Sequence, residues 1–302
     1  MYDTIIIGAG PAGLTAAIYA GRQGSKTLIL EKGIAGGKGL EVPLMENYPG
    51  YEKIEGQKLI QKMKKQATKH AKLKELEEVT KIEKNSKNLK IETKKDTYTT
   101  KTIILATGTR HRKLKIPGEK EFLGRGVSYC ATCDGPLYKN KKVLVIGGGN
   151  SALQEAIFLH KIGSKPTIIH RRNQLRAQKY LQNQTKKQKI PIIWNTTLKE
   201  IKGKNKVQEA IIENKKTGKT STIKTDGIFI AIGEEPINKL AKNLGIKLDK
   251  AGYIITDKQQ RTNIKRVYAA GDITGGLNQW VTACAEGAIA ATTAYKDISE
   301  RI

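Results

Sequence analysis

Near the N-terminus lies the stretch Thr4-Ile5-Ile6-Ile7-Gly8-Ala9-Gly10-Pro11-Ala12-Gly13. Its β-branched run predicts a strand, and the glycines predict a tight turn into a helix over residues 14–20. A second apolar run at 26–30 predicts another strand, which ends at Glu31. In this context the glycines allow a pyrophosphate to approach the helix N-terminus, and the acid can accept from ribose hydroxyls. The stretch therefore predicts a nucleotide-binding unit of α/β type.

The same pattern recurs in the middle of the chain. An apolar run at 143–146 leads into Gly147-Gly148-Gly149-Asn150-Ser151-Ala152, a helix is predicted over 153–159, and a strand at 167–169 ends at His170. His170 stands as far after Gly147 as Glu31 stands after Gly8. The two units thus share one geometry but differ in chemistry where the fold reads the ribose.

That difference predicts different nucleotides. An acid repels a 2′-phosphate and suits a free ribose, so Glu31 favours the adenosine of FAD. His170, Arg171 and Arg172, with Arg176 further on, would neutralise and bind a 2′-phosphate, so the second unit favours NADPH over NADH. The alternative interpretation of these basic residues is a surface salt-bridge cluster.

Two cysteines and an acid stand between the glycine motifs, in Cys130-Ala131-Thr132-Cys133-Asp134. Thiols at this spacing can close a small disulfide ring, and the acid beside them can give or take a proton. Zinc would need a second Cys or His pair at ligand spacing, but only Cys284 and four scattered histidines remain, so no metal site is expected. The combination indicates a flavoprotein that moves electrons from a nicotinamide to a disulfide.

Composition limits the class of protein. A chain of 302 residues with 38% hydrophobic content is long enough for two domains. No apolar run reaches the length of a membrane span, and the first residues read as a strand, so neither a spanning helix nor a signal peptide is expected. Three cysteines are too few for a secreted disulfide scaffold. We therefore expect a cytoplasmic, thiol-reducing location.

The net charge of +27 is mostly lysine. Arginine is scarce and no aromatic residues are interleaved as stacking platforms, so nucleic-acid binding is not expected as the function. We interpret the lysines as a solvated surface that can steer an acidic protein partner.

Together these features resemble the low-molecular-weight thioredoxin reductases of the pyridine nucleotide–disulfide oxidoreductase superfamily, over essentially the whole chain. The position of the cysteine pair inside the second nucleotide domain is the specific mark, since in the glutathione reductase branch the pair lies in the first. The matching stretches are Gly8–Gly13, Gly36-Gly37, Glu46-Asn47-Tyr48-Pro49-Gly50, Ala106-Thr107-Gly108, Cys130–Asp134, Gly147–Ala152, His170-Arg171-Arg172 with Arg176, and Ala270-Gly271-Asp272.

The resemblance implies an α/β fold with two Rossmann-like nucleotide-binding domains, the second inserted in the first. The FAD-binding domain would comprise residues 1–113 plus 246–302, and the NADPH-binding domain, with the redox cysteines, residues 114–245. The sequence supports the split independently, because a strand, turn and acid at 266–272 and a helical stretch at 281–295 would close the first domain. Hinge motion is expected at the crossovers near 112–119 and 234–243.

The resemblance also implies a mechanism. NADPH would reduce FAD, which would reduce the Cys130–Cys133 disulfide. Cys133 would face the flavin, Cys130 would attack a thioredoxin or thioredoxin-like protein, and Asp134 would be the acid–base group or, alternatively, cap the turn. A homodimer is implied as well. Ferredoxin or a deazaflavin as donor, a flavin dithiol oxidase, and a flavin-loaded scaffold without turnover remain alternatives.

Cofactor contacts follow from the matched motifs. Asp272 would bind the ribityl–phosphate region of the flavin or cap a helix, and the backbone around Gln279 would line the isoalloxazine edge. Lys38 stands where the family has Gln, Trp280 could pack on the flavin or on a neighbouring helix, and Cys284 is expected to be a buried small hydrophobe. The predicted FAD contacts are Gly8, Gly10, Pro11, Ala12, Gly13, Glu31, Lys32, Gly36, Gly37, Lys38, Asn47, Ala106, Thr107, Gly108, Gly271, Asp272, Asn278, Gln279 and Trp280. The predicted NADPH contacts are Gly147, Gly149, Asn150, Ser151, His170, Arg171, Arg172 and Arg176.

Overall fold

The computed structural model describes residues 1–42, 45, 47–85 and 88–299. The chain forms two compact units, Met1–Arg110 with Glu235–Ile302 and His111–Glu234. The second unit is therefore inserted in the first.

The first unit begins with a strand, a helix and a strand around the first glycine motif. Its N-terminal elements are β1 (Tyr2–Ile7), α1 (Pro11–Arg22), β2 (Thr27–Leu30), a 3₁₀ helix (Gly37–Glu41), α2 (Gly56–Ala67), β3 (Lys72–Lys74), β4 (Val79–Lys84), β5 (Leu89–Thr93) and β6 (Thr97–Leu105). The strands form a sheet in the order β3-β2-β1-β6-β5-β4. Strands β2, β1 and β6 run parallel, with Ile6 opposite Ile29 and Ile104, whereas β5 is antiparallel to β6.

The second unit repeats the strand–turn–helix arrangement. Its elements, after the connecting strand β7 (Thr109–His111), are β8 (Val127–Ser128), α3 (Ala131–Asp134), a 3₁₀ helix (Gly135–Tyr138), β9 (Lys142–Gly147), α4 (Asn150–Lys161), β10 (Lys165–Ile169), α5 (Lys179–Lys187), β11 (Ile192–Ile193), β12 (Thr196–Gly203), β13 (Val207–Asn214), β14 (Thr220–Lys224) and β15 (Gly227–Ala231). A parallel sheet has the order β11-β10-β9-β15-β8, and β12-β13-β14 form an antiparallel sheet.

The chain then returns to the first unit through β16 (Glu234–Pro236), α6 (Lys239–Asn243), β17 (Val267–Ala269), a 3₁₀ helix (Asp272–Thr274) and α7 (Trp280–Ser299). Strand β17 pairs parallel with the C-terminal half of β6, with Tyr268 opposite Ile104. Helix α7 packs closely on α1, since a Cβ at Gly287 would lie 2.2 Å from the carbonyl oxygen of Ala12.

The return crossing comes earlier than predicted. The units meet at 110/111 and 234/235 rather than at 113/114 and 245/246. Residues 235–245 belong to the first unit because α6 packs there. Ala241 is 2% exposed and shares a core with Ile246, against which Leu240 and Leu244 also pack.

Each parallel sheet is covered on both faces, which explains its continuous apolar strands. Successive side chains of a strand point to opposite faces. Ile6 therefore packs with Ile29 and Ile104 on one face, and Ile5 with neighbouring strands on the other. Val145 and Leu144 divide in the same way in the second unit. Among the described residues, no helix has the length and apolar character needed to cross a membrane.

Candidate nucleotide and disulfide sites

The first glycine turn joins β1 to α1. A Cβ at Gly8, where φ is +104°, would lie 2.3 Å from the carbonyl oxygen of Ala106, and a Cβ at Gly13 would lie 1.9 Å from that of Gly8. A Cβ at Gly10, in contrast, would meet no heavy atom within 4 Å. The turn is therefore closed by close backbone packing but leaves open space before the N-terminus of α1. This space fits the pyrophosphate of a dinucleotide.

The second glycine turn, between β9 and α4, has the same construction. A Cβ at Gly147 would lie 2.2 Å from the carbonyl oxygen of Ala231, at the end of the neighbouring strand, and a Cβ at Gly149 would meet nothing within 4 Å. The N-terminal residue of α4, Asn150, accepts a hydrogen bond at Oδ1 from the Gln178 N–H at 2.8 Å, and Ser151 follows it. The open space before α4 likewise fits a pyrophosphate.

Glu31 is held against the first turn. Its Oε2 accepts from the Ala9 N–H at 2.8 Å and its Oε1 from the Gly33 N–H at 2.9 Å. Both oxygens have one further lone pair, which suits the predicted bond to ribose hydroxyls. Lys32, directly after it, is exposed.

Other predicted FAD contacts gather near the same turn. The Gly36 N–H donates to the carbonyl oxygen of Ala9 at 2.8 Å, and a Cβ at Gly37 would lie 3.3 Å from the Cα of Gly10. Pro11 and Ala12 begin α1, while Ala106, Thr107 and Gly108 follow β6. The Thr107 hydroxyl donates to the carbonyl oxygen of Ile237 at 2.8 Å.

A charged pair links two predicted FAD contacts that are distant in sequence. Lys38 Nζ lies 2.7 Å from Asp272 Oδ2. Behind Asp272, the Gly271 N–H donates to Glu286 Oε2 at 2.7 Å, and the Thr274 hydroxyl lies 2.9 Å from the same oxygen. Burial raises the pKa of Glu286 above its ordinary value, and the Asp272 charge adds to this. Glu286 was not predicted, and its only signal in the sequence is an acid among the mostly small residues 282–294 of helix α7.

The predicted isoalloxazine edge lies at the start of α7. Asn47 Nδ2 donates to Gln279 Oε1 at 2.8 Å, and Asn278 beside it is exposed. Trp280 packs on α2, with its Nε1 3.3 Å from Met63 Sδ. Trp280 therefore contacts a neighbouring helix, which is one of its two predicted environments. Burial raises the pKa of the free thiol of Cys284, which lies in α7.

The predicted 2′-phosphate residues follow β10. A cavity of about 370 Å³ is lined by Arg171, Arg172, Asn173, Gln174, Leu175, Arg176, Asn195 and Lys216. The three arginines therefore come together, beside the glycine turn, because the Arg176 N–H donates to the carbonyl oxygen of Gly148 at 2.8 Å.

His170 does not line this cavity with the arginines. It is 5% exposed, its Nε2 lies 2.8 Å from the carbonyl oxygen of Gln174, and a Cβ at Gly148 would lie 2.2 Å from its ring. Its position packs the basic loop against the glycine turn. Sequence reasoning missed Asn195 and Lys216, which stand far from the motif along the chain.

Cys130 and Cys133 form a disulfide around the first turn of α3, with their Cα atoms 5.4 Å apart. Cys133 is exposed and Cys130 half-buried. Cys130 caps the helix, since its Sγ accepts from the Cys133 N–H at 3.1 Å, and the Thr132 hydroxyl lies 3.2 Å from the same sulfur. These groups would also stabilise a thiolate at Cys130 after reduction.

Asp134 is half-buried at the end of α3. Its backbone N–H donates to the carbonyl oxygen of Cys130 at 3.2 Å, but its side chain makes no cap hydrogen bond to the following 3₁₀ helix. Burial raises the pKa of Tyr138, and the charge of Asp134 contributes. The carboxylate is thus not engaged in the alternative capping role at that helix.

The disulfide and the second glycine turn share one edge of one sheet. Strands β8, β15 and β9 are parallel neighbours, so their carboxyl ends lie together. Cys130 lies two residues after the end of β8, and Gly147 ends β9. Strand spacing of about 4.8 Å separates each of the three strands from the next. The carboxyl edge of a parallel sheet is where nucleotides bind in such folds.

Comparison with known proteins identifies the family of this chain. The family model described as pyridine nucleotide-disulphide oxidoreductase matches residues 2–287. The chain is similar to the thioredoxin reductase of Treponema pallidum, at 46% identity over 97% of this chain and 96% of that protein. It is also similar to the crystal structure of Lactococcus lactis thioredoxin reductase, at 46% identity and a TM-score of 0.94, over 99% of this chain and 100% of that one. The predicted fold class and family resemblance are confirmed. The chain therefore belongs to the pyridine nucleotide-disulphide oxidoreductase family.

Proposed function

We propose that this protein is an NADPH-dependent thioredoxin-disulfide reductase. It transfers electrons from NADPH through FAD and the Cys130–Cys133 pair to a thioredoxin or thioredoxin-like protein. Family membership makes it an oxidoreductase and implies a flavin and a nicotinamide cofactor. A homodimer and a cytoplasmic location are part of the proposal.

The observation that carries the proposal is the position of the disulfide. Cys130 and Cys133 lie at the carboxyl edge of the sheet whose β9–α4 turn leaves space for a pyrophosphate. Cys133 is exposed and Cys130 half-buried, which suits a pair that exchanges with a partner rather than one that only stabilises the fold. The arginine-lined cavity beside the same turn supports NADPH over NADH as the donor.

The residues around each glycine turn suit a different cofactor, so one cofactor is assigned to each unit. In the first, Gly10, Glu31 and Asp272 would hold FAD at its pyrophosphate, adenosine ribose and ribityl region. In the second, Gly149 and the arginines would hold NADPH. The electron pair that opens the Cys130–Cys133 bond would come from these two cofactors.

The two thiols then carry the electrons to the partner. The Cys130 thiolate attacks one sulfur of the partner disulfide, forms a mixed disulfide and releases the other partner sulfur as a thiolate. Cys133 then attacks Cys130 Sγ, which restores the intramolecular disulfide and frees the second partner thiolate. Asp134 moves the protons that these thiolates gain or lose. The Cys133 N–H favours Cys130 as the attacking sulfur, since it donates to Cys130 Sγ.

An anaerobic titration tests the donor and the disulfide together. NADPH and NADH are added separately while the visible band of the flavin is followed. We expect NADPH to bleach the band, and we expect a further equivalent of NADPH to be consumed by reduction of the disulfide. A band that neither nucleotide bleaches would contradict NADPH as donor and favour ferredoxin, a deazaflavin or an oxidase role.

Substitution of one cysteine separates an enzyme from a flavin-loaded scaffold. We expect Cys133→Ser to abolish reduction of thioredoxin while the flavin is still bleached by NADPH. Cys284→Ser is the matched control, because Cys284 lies in α7 of the first unit. Unchanged thioredoxin reduction by Cys133→Ser would refute the dithiol path.

A further inference from the structure

The arginine-lined cavity of the second unit has a fourth cationic side chain that the sequence motif does not contain. Lys216 lines it together with Arg171, Arg172 and Arg176. None of the residues that line this cavity among the described parts of the chain is acidic. Like charges gathered in one cavity repel one another unless an anion joins them. The cavity therefore suits a ligand group with more than one negative charge.

Lys216 reaches the cavity from the turn between β13 and β14. The Asn214 side chain organises this turn, because its Oδ1 accepts from the Lys216 N–H at 2.9 Å and from the Thr217 N–H at 3.2 Å. The Gly218 N–H closes the turn on the Asn214 carbonyl oxygen at 2.8 Å. The backbone of Lys216 is thus held in place rather than left to the motion of an open loop.

Asn195 joins this turn to the basic loop. Its N–H donates to the carbonyl oxygen of Arg172 at 3.2 Å, and its own carbonyl oxygen accepts from the Lys215 N–H at 2.6 Å. One residue therefore bonds to the segment that carries the arginines and to the segment that carries Lys216. This link fixes the distance between the two sources of positive charge.

The acid next to the turn is engaged elsewhere. Glu213 lies 3.0 Å from Lys199 Nζ and 3.9 Å from Lys215 Nζ. Its two nearest cations are therefore not those of the cavity. Lys216 lines the cavity together with the three arginines.

We propose that Lys216 is a specificity-determining residue for the 2′-phosphate of NADPH. This inference rests on the proposed function, which places the adenosine ribose of NADPH beside the arginine loop. A lysine ammonium is a compact charge on a flexible stem, so Lys216 can adjust its position to a phosphate that the arginines hold. A nucleotide without the 2′-phosphate has no group there for Lys216 to bind.

Binding of two small probes by the full-length, flavin-loaded protein tests this directly. Adenosine 2′,5′-bisphosphate and adenosine 5′-monophosphate differ only by the 2′-phosphate, and calorimetry measures the Kd of each. We expect Lys216→Met to weaken binding of the bisphosphate by about tenfold, the effect of losing one charge-assisted contact, and to leave that of the monophosphate unchanged. Lys216→Arg should restore most of the affinity.

Lys219→Met is the matched control, because Lys219 stands in the same turn but does not line the cavity. It should bind both probes as the unsubstituted protein does. Equal losses in Lys216→Met and Lys219→Met, or an equal loss for both probes, would overturn the role of Lys216. If the unsubstituted protein prefers the bisphosphate and Lys216→Met keeps that preference, only this inference fails. If the unsubstituted protein has no preference for the bisphosphate, both this inference and NADPH as the proposed donor are refuted.

Discussion

In the first unit, the carboxylates of Glu31 and Glu286 accept hydrogen bonds from backbone N–H groups. Glu31 accepts from Ala9 and Gly33, and Glu286 accepts from Gly271. Each thereby fixes a turn that the proposed function assigns to FAD. An N–H that loses such an acceptor must find water or remain unsatisfied, which destabilises the fold.

Removal of the Glu31 carboxylate should therefore weaken both the fold and the cofactor site. We expect Glu31→Ala to lower the free energy of unfolding by about 1–3 kcal/mol, because two partly buried donors lose a charged acceptor. Urea unfolding of the flavin-free protein measures this, and retention of FAD through gel filtration measures the site. The control is Glu55→Ala, whose exposed carboxylate pairs with Lys58 at 2.7 Å. An equal loss in both variants would contradict the special position of Glu31.

Glu286 should make stability depend on pH. Burial raises its pKa in the folded protein, so the folded state takes up the proton at a higher pH than the unfolded state. The contribution of this group to stability is therefore greatest at low pH and decreases as pH rises from the ordinary value of about 4.3 through the raised value. We expect Glu286→Gln to remove this decrease. Urea midpoints at several pH values for both proteins measure it, and identical profiles would refute the role.

In the glycine turns, substitutions at different positions can separate the requirements of the fold from those of cofactor binding. Gly13 is needed by the backbone, since its Cβ would overlap the Gly8 carbonyl oxygen, whereas a Cβ at Gly10 or Gly149 points into open space. The same motif therefore contains positions with different requirements.

We expect Gly13→Ala to lower the free energy of unfolding by about 1–3 kcal/mol, as for an overpacked site. Gly10→Ala should stay within about 0.5 kcal/mol of the original stability but lose affinity for FAD, because the new methyl group obstructs the pyrophosphate. Gly149→Ala should instead weaken the binding of NADPH and leave that of FAD unchanged. Urea unfolding and the two binding constants measure these effects. If Gly149→Ala released FAD and Gly10→Ala did not, the assignment of cofactors to units would be reversed.

At the scale of the whole molecule, the net charge of +27 creates a long-range positive field. Attraction of an acidic thioredoxin-like partner should therefore depend on salt, since the Debye length falls from about 30 Å at 0.01 M to about 8 Å at 0.15 M ionic strength. We expect kcat/KM for such a partner to fall by about tenfold or more over this range. Steady-state rates at increasing sodium chloride measure it.

The control for this prediction is a small neutral disulfide, reduced by the same enzyme. Its rate should change little with salt, because no net charge is steered. A parallel fall for both substrates would locate the effect in cofactor binding or catalysis instead of association.

Much of the fold could be predicted because the signals are local. The β-branched runs, the glycines that follow them and the cysteine spacing act over a few residues. The two strand–turn–helix units followed from them, whereas the insertion of one domain in the other was implied by the family resemblance. The structure divides the chain at 234/235, eleven residues before the predicted boundary, since the place of α6 depends on Ala241 packing in a core that is built from distant strands.

The sequence by itself determined the two strand–turn–helix units, the chemistry at the end of each second strand and the pair of redox cysteines. These depend on backbone sterics and side-chain charge within short segments. Only the tertiary structure decided that Lys38 meets Asp272, that Glu286 supports Gly271, that His170 lies behind the basic loop and that Lys216 joins the arginines. Such contacts join residues far apart along the chain. They arise from strand order and helix packing, which bring segments together without any local signal in the residues that meet.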